Sequence, residues 1–315
     1  MSTGTKNLKR YNKFSDFLKQ KFGEKVYRIT VDGGFTCPNR DGKKGRTPCL
    51  YCDERGSGAR HIDITLNLKN QYLKGREIVK EKLKINKFIP YFQSFTNTYA
   101  DYETCVKRYE TVINLPDAVG IAIGTRPDCV EDKLLDYLGN LAEEKLVILD
   151  LGIQSTTDRV LEIIKRGHSV KDTITFLKKA EKYSNLHIVG HFIFGLPTET
   201  REEMLNSYKL FSDYKLDGVK FHQLNILKNT GMEKLYNEGK LKPIELDFYV
   251  NLVADFLERI PFKVVVHRLS ARADNHSTLI APEWGKFHHK PSTLIEKELQ
   301  KRDSYQGKFI DKTGQ

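Results

Sequence analysis

Residues 37–52 of the chain read Cys37-Pro-Asn-Arg-Asp-Gly-Lys-Lys-Gly-Arg-Thr-Pro-Cys49-Leu-Tyr-Cys52. This segment holds three of the five cysteines and follows a strand-like run at 26–31. Three thiolates in one loop can bind three corners of an iron–sulfur cube, which usually has four cysteine ligands. The fourth iron is then open to a substrate or cofactor. The spacing therefore predicts chemistry at the open corner rather than simple electron storage.

A single zinc ion is the alternative occupant of this loop. Thiolates select zinc or iron–sulfur clusters, and a structural zinc site has four ligands. His61 would supply the fourth ligand in this alternative. A structural zinc site need not face the ends of other strands, whereas a reactive cluster must meet its substrate.

The composition predicts a cytoplasmic protein. The chain has 315 residues, of which 39% are hydrophobic, enough for one large α/β domain or two ordinary ones. No apolar run approaches the roughly 18 residues that cross a membrane, and the first residues lack the apolar region of a signal peptide. Five cysteines is an odd number, which argues against a secreted disulfide framework. We expect a reduced, cytoplasmic protein with no membrane partner.

The formal net charge of +11 favours a polyanionic partner such as RNA. Basic residues are frequent in the N-terminal segment 1–28, in the cysteine loop, and near Arg268 and Arg272. We expect the N-terminal segment and the Arg268/Arg272 region to bind phosphates. The alternative is a lysine-rich surface covered with solvated charge.

Strand-like runs alternate with amphipathic helical patterns along the chain. Parallel strands buried on both faces read as continuous apolar runs, as at 146–149 and 264–266. Repeated β-then-α units indicate a parallel sheet, and six of them suggest a full or partial barrel more than an open sheet. The predicted strands are Val26–Val31, Phe88–Phe92, Ala118–Ile123, Leu146–Leu151, His187–Phe194 and Gly218–Leu224, with Phe262–His267 as a possible seventh.

Polar or glycine-containing segments follow each predicted strand. In parallel barrels the chemistry lies at the carboxyl ends of the strands. We therefore expect one site to gather the cysteine loop and the strand-end segments Gln93–Asn97, Gly124–Asp128, Gly152–Ser155, Gly195–Pro197 and His222–Asn225.

The cysteine loop and these segments together resemble the radical S-adenosylmethionine (SAM) superfamily. The wide spacing between Cys37 and Cys49 is similar to that in the branch of the superfamily that contains the elongator catalytic subunit. The motifs taken together resemble those of the smaller YhcC/YtqA-type proteins. The likeness extends from Gly33 to Trp284. Its motifs are Gly33-Gly-Phe-Thr-Cys37-Pro-Asn-Arg40, Tyr91-Phe-Gln-Ser-Phe-Thr-Asn-Thr-Tyr99, Gly124-Thr-Arg-Pro-Asp128, Leu151-Gly-Ile-Gln-Ser155, Arg166-Gly-His168 and Gly195-Leu-Pro-Thr-Glu-Thr200.

The resemblance implies a fold and two cofactors. The expected fold is an α/β, partial (β/α)6 TIM-like barrel of the radical SAM type, with a basic N-terminal extension at 1–24, a core barrel at 25–260 and a C-terminal extension at 261–315. The expected cofactors are a [4Fe-4S] cluster on Cys37, Cys49 and Cys52, and SAM chelated to the open iron. Reductive cleavage of SAM then gives a 5′-deoxyadenosyl radical.

Several strand-end residues are candidates for binding SAM. Gln93 and Asn97 are expected near the methionine amine, and Arg126 near the carboxylate as a bidentate fork. Asp128 or Gln154 is expected at the ribose, with Ser155 beside them, and Gly195 would let the backbone approach the adenine. The alternatives are an internal Arg126–Asp128 ion pair and an ordinary turn at Gly195. His222, which ends the sixth strand, is the candidate catalytic residue for substrate contact.

The resemblance also implies a function. YtqA-like proteins are associated with the carbon-5 side chain of the wobble uridine, so the predicted activity is radical SAM modification of tRNA, with a reducing donor such as flavodoxin or ferredoxin. One alternative is a radical SAM enzyme that acts on a small metabolite. Another is a zinc-stabilised RNA-binding module without enzymatic activity.

Overall fold

Seven parallel strands form the sheet of the protein, and their order in space follows their order in the chain. The computed structural model describes residues 9–56, 62–273, 277–287 and 289–310. The seven strands are β1 (Val26–Val31), β2 (Lys87–Phe92), β3 (Gly120–Thr125), β4 (Leu146–Gln154), β5 (His187–Phe194), β6 (Gly218–Gln223) and β8 (Val265–Arg268). Two short strands, β7 (Ile226–Leu227) and β9 (Leu279–Ala281), pair antiparallel in a separate ribbon.

Helices connect the strands, and most of them cover the outer face of the sheet. They are α1 (Phe14–Phe22), α2 (Leu68–Leu83), α3 (Tyr102–Ile113), α4 (Asp132–Leu141), α5 (Asp158–Ile163), α6 (Val170–Ala180), α7 (Arg201–Asn206), α8 (Leu210–Asp213), α9 (Gly231–Asn237), α10 (Leu246–Leu257) and α11 (His289–Lys301). The main core lies between this face and the helices. No helix within the described residues is long and apolar enough to cross a membrane.

The sheet curls into a half-barrel, and helix α1 lies between its two edge strands. The helix contacts both β1 and β8, and Lys13 just before it forms a parallel bridge with Val266. Phe14 and Leu18 of α1 pack against inward residues near the amino ends of the strands: Ile89, Ala122, Leu146, Ile148, Val189 and Val265. Helix α1 therefore fills the inside of the half-barrel at the amino edge of the sheet.

The predicted partial barrel is confirmed, and the possible seventh strand is present as β8. This strand lies within the segment predicted as the C-terminal extension, but it pairs with β6 as part of the sheet. Helix α11 in the same segment packs on α10. The boundaries proposed at residues 24/25 and 260/261 stay predictions.

The contribution of α1 can be measured with one truncation. Leu18 is 3% exposed in the inner core, so we expect Leu18→Ala to lower the free energy of unfolding by about 2–4 kcal/mol through lost burial and a cavity. Urea denaturation measures this loss. Leu83→Ala, at a position that is 52% exposed, is the control and should change stability by less than about 0.5 kcal/mol. Equal losses for both variants would contradict a packed role for α1.

Candidate active site

A cavity of about 1430 Å³, including the space at its mouth, opens at the carboxyl edge of the sheet. Parallel barrels carry their chemistry at this edge. The structure brings together these predicted site residues in the lining: Cys37, Cys49, Cys52, Gln93, Arg126, Gln154 and His222. Four other predicted residues, Asn97, Asp128, Ser155 and Gly195, lie outside the lining.

The three loop cysteines face the cavity as free thiols. Arg40 donates a hydrogen bond to the Cys52 sulfur at 3.3 Å. The Cys49 sulfur accepts from Asn39 Nδ2 at 3.3 Å and from Arg166 at 3.9 Å. Cys105 and Cys129 are buried elsewhere, in α3 and in the turn after β3. The donors around the loop sulfurs suit sulfur atoms that carry negative charge.

Metal binding suits the Cys52 thiol better than free ionisation does. Burial raises the pKa of the Cys52 thiol to about 11, the neighbouring Cys49 adds to the rise, and Arg40 opposes it. A bound metal cation reverses this balance, because a coordinating thiol is deprotonated. The loop therefore fits ligands that become thiolates when metal binds.

The described residues do not form a site for a single metal ion. Among them, no three His, Cys, Asp or Glu side chains are arranged to hold one ion. His61, the fourth ligand in the zinc alternative, lies outside the described residues. In a cube each cysteine binds a different iron, so the three sulfurs do not need to converge on one point.

Arg126 is almost completely buried, with 1% of its surface exposed. Its guanidinium pairs with both oxygens of Asp128 at 2.9 Å, and its other terminal nitrogen donates to Asn39 Oδ1 at 2.9 Å and to the Arg166 carbonyl at 2.7 Å. Burial would raise the pKa of Asp128, but Arg126 holds it well below its usual range. The internal ion pair left open by the sequence is therefore present, and the roles of both residues toward SAM stay predictions.

Asn97 and Gly195 support the backbone around the cavity. Asn97 Nδ2 donates to the carbonyls of Phe92 at 3.1 Å and Gly124 at 2.8 Å, which joins the ends of β2 and β3. Gly195 has φ +90°, and an added Cβ would lie 2.9 Å from the Cβ of Ile244. The close approach at Gly195 is thus to a neighbouring side chain. The cofactor contacts predicted for both residues stay predictions.

Ser155 belongs to a buried pair with Glu199. Its hydroxyl donates to the Glu199 carboxyl group and accepts from the Thr157 amide at 3.1 Å. Burial raises the pKa of Glu199 to about 8. Glu199 lines a smaller pocket beside Gly195 and Leu241, so the structure separates Ser155 from the main cavity, and its predicted cofactor role is untested.

His222 lies deep in the cavity on the inner face of β6. Its Nδ1 contacts the Gln223 carbonyl, so Nδ1 carries the proton and Nε2 is an acceptor. Burial and the charge of Arg268 lower the pKa of His222 to about 3. The imidazole is therefore neutral near pH 7 and can accept a hydrogen bond from a ligand. Its catalytic role stays a prediction.

The basic residues expected to bind phosphates separate into different environments. Arg272 is exposed at the mouth of the cavity, whereas Arg268 lies inside the half-barrel, where burial lowers its pKa. Arg268 therefore faces the cavity rather than the outer surface, and the phosphate contact expected of the Arg268/Arg272 region stays a prediction. Helix α1 lies at the opposite edge of the sheet from the mouth.

Comparison with known sequences identifies the family. The profile of the Radical SAM superfamily matches residues 35–211, and that of the Radical_SAM C-terminal domain matches residues 216–301. The chain belongs to the radical SAM superfamily. It is 39% identical to the uncharacterized protein YtqA of Bacillus subtilis over 96% of this chain and 94% of that protein. It is 33% identical to protein YhcC of Escherichia coli over 88% of each chain.

More distant similarity connects this radical SAM protein to elongator complex protein 3. The yeast (Saccharomyces cerevisiae) protein is 29% identical over 50% of this chain and 28% of its own length. The solved structure of Elp3 from Methanocaldococcus infernus, with an N-terminal deletion, matches with a TM-score of 0.66 at 20% identity, covering 89% of this chain and 64% of that one. The structural match shows a shared fold, and the predicted relation to both groups is confirmed.

The cavity of this radical SAM protein fits the cofactors of the superfamily, a [4Fe-4S] cluster and SAM. Cys37, Cys49 and Cys52 would hold the cluster. Four buried polar atoms of cavity-lining residues have no hydrogen-bond partner among the described residues: Asp150 Oδ1, Gln154 Oε1, Arg166 Nε and Arg268 Nε. Unpaired buried polar groups are costly, so they are available to a polar ligand such as SAM.

Sequence reasoning missed Asn39, Arg40 and Arg166 as site residues. The first two lie within the cysteine loop, next to Cys37, and their position was the available signal. Arg166 approaches Cys49 from 117 residues away and donates to the Gly152 carbonyl at 2.7 Å. It belongs to the quoted Arg166-Gly-His168 motif, but the motif alone does not indicate which group the guanidinium contacts.

The three loop cysteines should be individually required for the cluster. We expect Cys37→Ala, Cys49→Ala and Cys52→Ala to lose most iron and sulfide after anaerobic reconstitution, while Cys105→Ala retains about four of each per chain. Elemental analysis and the visible absorption spectrum measure the content. One zinc per chain without sulfide would instead support the zinc alternative.

Glu199 should make stability depend on pH. Between the usual glutamate pKa of about 4.3 and the folded value of about 8, the unfolded chain is ionised while the folded protein keeps its proton. Stability therefore falls as pH rises through this window. We expect Glu199→Gln to gain about 2–4 kcal/mol over the wild type between pH 5 and pH 8. Urea denaturation at both pH values measures the difference, and an unchanged difference would contradict the assignment.

Proposed function

We propose that this radical SAM enzyme modifies tRNA, at the carbon-5 side chain of the wobble uridine. The observation that carries the proposal is the positive charge of the loop that bears the cysteines, at the mouth of the reactive cavity. Lys43, Lys44 and Arg46 of this loop are exposed, and Arg272 is exposed at the same mouth.

The residues of the cavity have distinct tasks in this proposal. When bound, the reduced cluster and SAM supply a 5′-deoxyadenosyl radical that abstracts hydrogen from a substrate carbon. The loop cysteines hold the cluster. Asn39, Arg40 and Arg166 orient the sulfur atoms and offset their negative charge. Enclosure by the half-barrel excludes water from the reactive species.

A tRNA partner agrees with the shape and charge of this edge. Bases in a single-stranded loop can be splayed out of the stack and inserted into a pocket. The flanking phosphates would then meet the cationic mouth, while the base reaches the cavity. The resemblance to YtqA-like proteins supplies the choice of the wobble uridine. A flavodoxin or ferredoxin donor and a cytoplasmic location belong to the same proposal.

The tRNA contact can be tested with two charge-matched double variants. Lys43→Glu/Arg46→Glu reverses two charges at the mouth, and Lys19→Glu/Lys21→Glu reverses two exposed charges on α1 at the opposite edge. We expect the first variant to weaken binding of unmodified tRNA at least about tenfold and to reduce the slope of log K against log salt by about 2. The second variant should bind almost as the wild type does, a result that would reject the phosphate contact expected of the N-terminal segment. Equal effects would mean that the charge acts nonspecifically.

The chemical assignment needs a separate measurement. We expect tRNA from cells that lack the protein to contain an altered wobble-uridine nucleoside, detected by mass spectrometry of digested tRNA. Restoration by the wild-type gene, but not by the Cys49→Ala variant, would link the change to the cluster. An unchanged nucleoside profile would favour the small-metabolite alternative.

A further inference from the structure

A group of charged side chains forms the floor of the cavity, on the inward face of the strands. Tyr91 of β2, Asp150 of β4 and Arg268 of β8 line the cavity, and Lys220 of β6 is buried beside Asp150. Arg28 of β1 approaches the same group, stacked over the rings of Tyr91 at 5.4 Å and Phe14 at 5.0 Å.

The floor has more positive than negative charge. The cations are Arg28, Arg268 and Lys220, whose pKa burial lowers to about 7, and the carboxylate is Asp150. Lys220 and the Tyr91 hydroxyl both use Asp150 Oδ2, while Asp150 Oδ1 has no hydrogen-bond partner among the described residues. The Arg268 guanidinium donates to the neutral ring of His191 at 3.2 Å, and its buried Nε has no hydrogen-bond partner. Arg268 therefore lacks a directly paired counter-charge within the described part of the chain, although the charge of Asp150 still acts on it.

The two histidines beside Arg268 do not supply that counter-charge. His191 accepts from Arg268 through Nε2, and burial followed by the Arg268 charge lowers its pKa well below the usual value. His222 lies against His191 with ring centroids 5.6 Å apart and is neutral for the same reasons. Both imidazole rings are polar but uncharged, and both line the cavity beside Arg268.

Arg268 is half-buried, and a cation that loses part of its hydration without a direct ion-pair partner is costly. The cations at the cysteines are different, because Arg40 and Arg166 contact sulfur atoms that become thiolates on metal binding. Arg166 contacts the carbonyl of Gly152 on β4, and Asp150 lies two residues earlier on the same strand. The floor is therefore roughly 7 Å deeper in the half-barrel than the cations at the cysteines.

We propose that Arg268 binds a carboxylate group of the substrate at the floor of the cavity. A planar carboxylate can accept from Nε and a second guanidinium nitrogen together, and its negative charge offsets part of the excess on the floor. His222 Nε2, an acceptor, lies on the same wall to receive a donor from the neighbouring part of the substrate. The inference requires the radical SAM fold but not the tRNA assignment, because a modified base or a metabolite can carry this group.

The first test is the stability of the ligand-free protein. Arg268→Met removes a half-buried charge that makes no direct ion pair, so we expect its melting temperature to equal or exceed that of the wild type. The control, Arg76→Met, breaks the ion pairs with Glu77 and Asp117 on the outer face, and its melting temperature should fall. A loss of several degrees for Arg268→Met would overturn the proposal, since it would show that the guanidinium is paired in the free protein.

The second test is binding of a small carboxylate. We expect sodium acetate to raise the melting temperature of anaerobically purified, cluster-loaded protein by about 2–5 °C over sodium chloride of equal ionic strength at saturation. The shift should vanish in Arg268→Met, diminish in Arg268→Lys, which keeps the charge but loses the planar fork, and persist in Arg76→Met. An equal shift in Arg268→Met would overturn the proposal.

Two further measurements distinguish a substrate carboxylate from the carboxylate of SAM and from phosphate. If saturating SAM leaves the acetate shift intact, the subsite is distinct from the cofactor carboxylate, and if SAM abolishes the shift, the proposal fails. A larger shift with sodium phosphate than with acetate would overturn the carboxylate assignment. None of these readouts uses tRNA, so failure of the tRNA proposal leaves them interpretable.

Discussion

The position of the cysteine loop depends on the buried guanidinium of Arg126. This side chain leaves the end of β3 and is locked by both oxygens of Asp128. From there it reaches Asn39 inside the loop and the Arg166 carbonyl after α5. Asn39 in turn donates to the Cys49 sulfur. One buried cation thus connects the loop to two distant parts of the chain, which an exposed ion pair would do only weakly.

The lining of the cavity divides into two electrostatic levels. Near the cysteines, cationic donors face sulfur atoms whose charge becomes negative on metal binding. At the floor, Asp150 pairs with Lys220, and Arg268 makes no direct ion pair and keeps an unpartnered Nε among the described residues. In an enclosed site such charges act strongly on a ligand because little water screens them. The fold therefore gives up some stability at the floor, a common property of functional sites.

The sequence predicts the strands well where the apolar runs have sharp limits, as for β1 and β5, whose bounds agree with the structure. It places β3 two residues early, because Ala118 is apolar but makes only an isolated bridge with Phe88. It places the start of β8 three residues early, where the Val264 amide instead closes a turn on the Pro261 carbonyl. Local composition does not distinguish an apolar turn from a strand.

For the site, the sequence reveals which strand ends meet but not which side chains face inward. Alternate residues of a strand point to opposite faces, so Gln154 lines the cavity with Asp150 and Gly152 while Ser155 turns toward Glu199, but the sequence does not show which of the two faces is the inner one. The contacts of Arg166 with Cys49 and of Arg268 with His191 join residues far apart in the chain. Only tertiary packing defines them.

The charged floor can exist because α1 seals the half-barrel beneath it. Phe14 and Leu18 form an apolar layer with Ile148 and Val189, and the Phe14 ring stacks on His267 with centroids 3.9 Å apart. An apolar layer at the amino edge keeps water from entering below, so the charges on the floor face toward the open carboxyl edge. Apolar burial at this edge stabilises the fold and so offsets the free-energy cost of the cations above it. Because α1 closes the amino edge, a ligand reaches these cations only from the mouth.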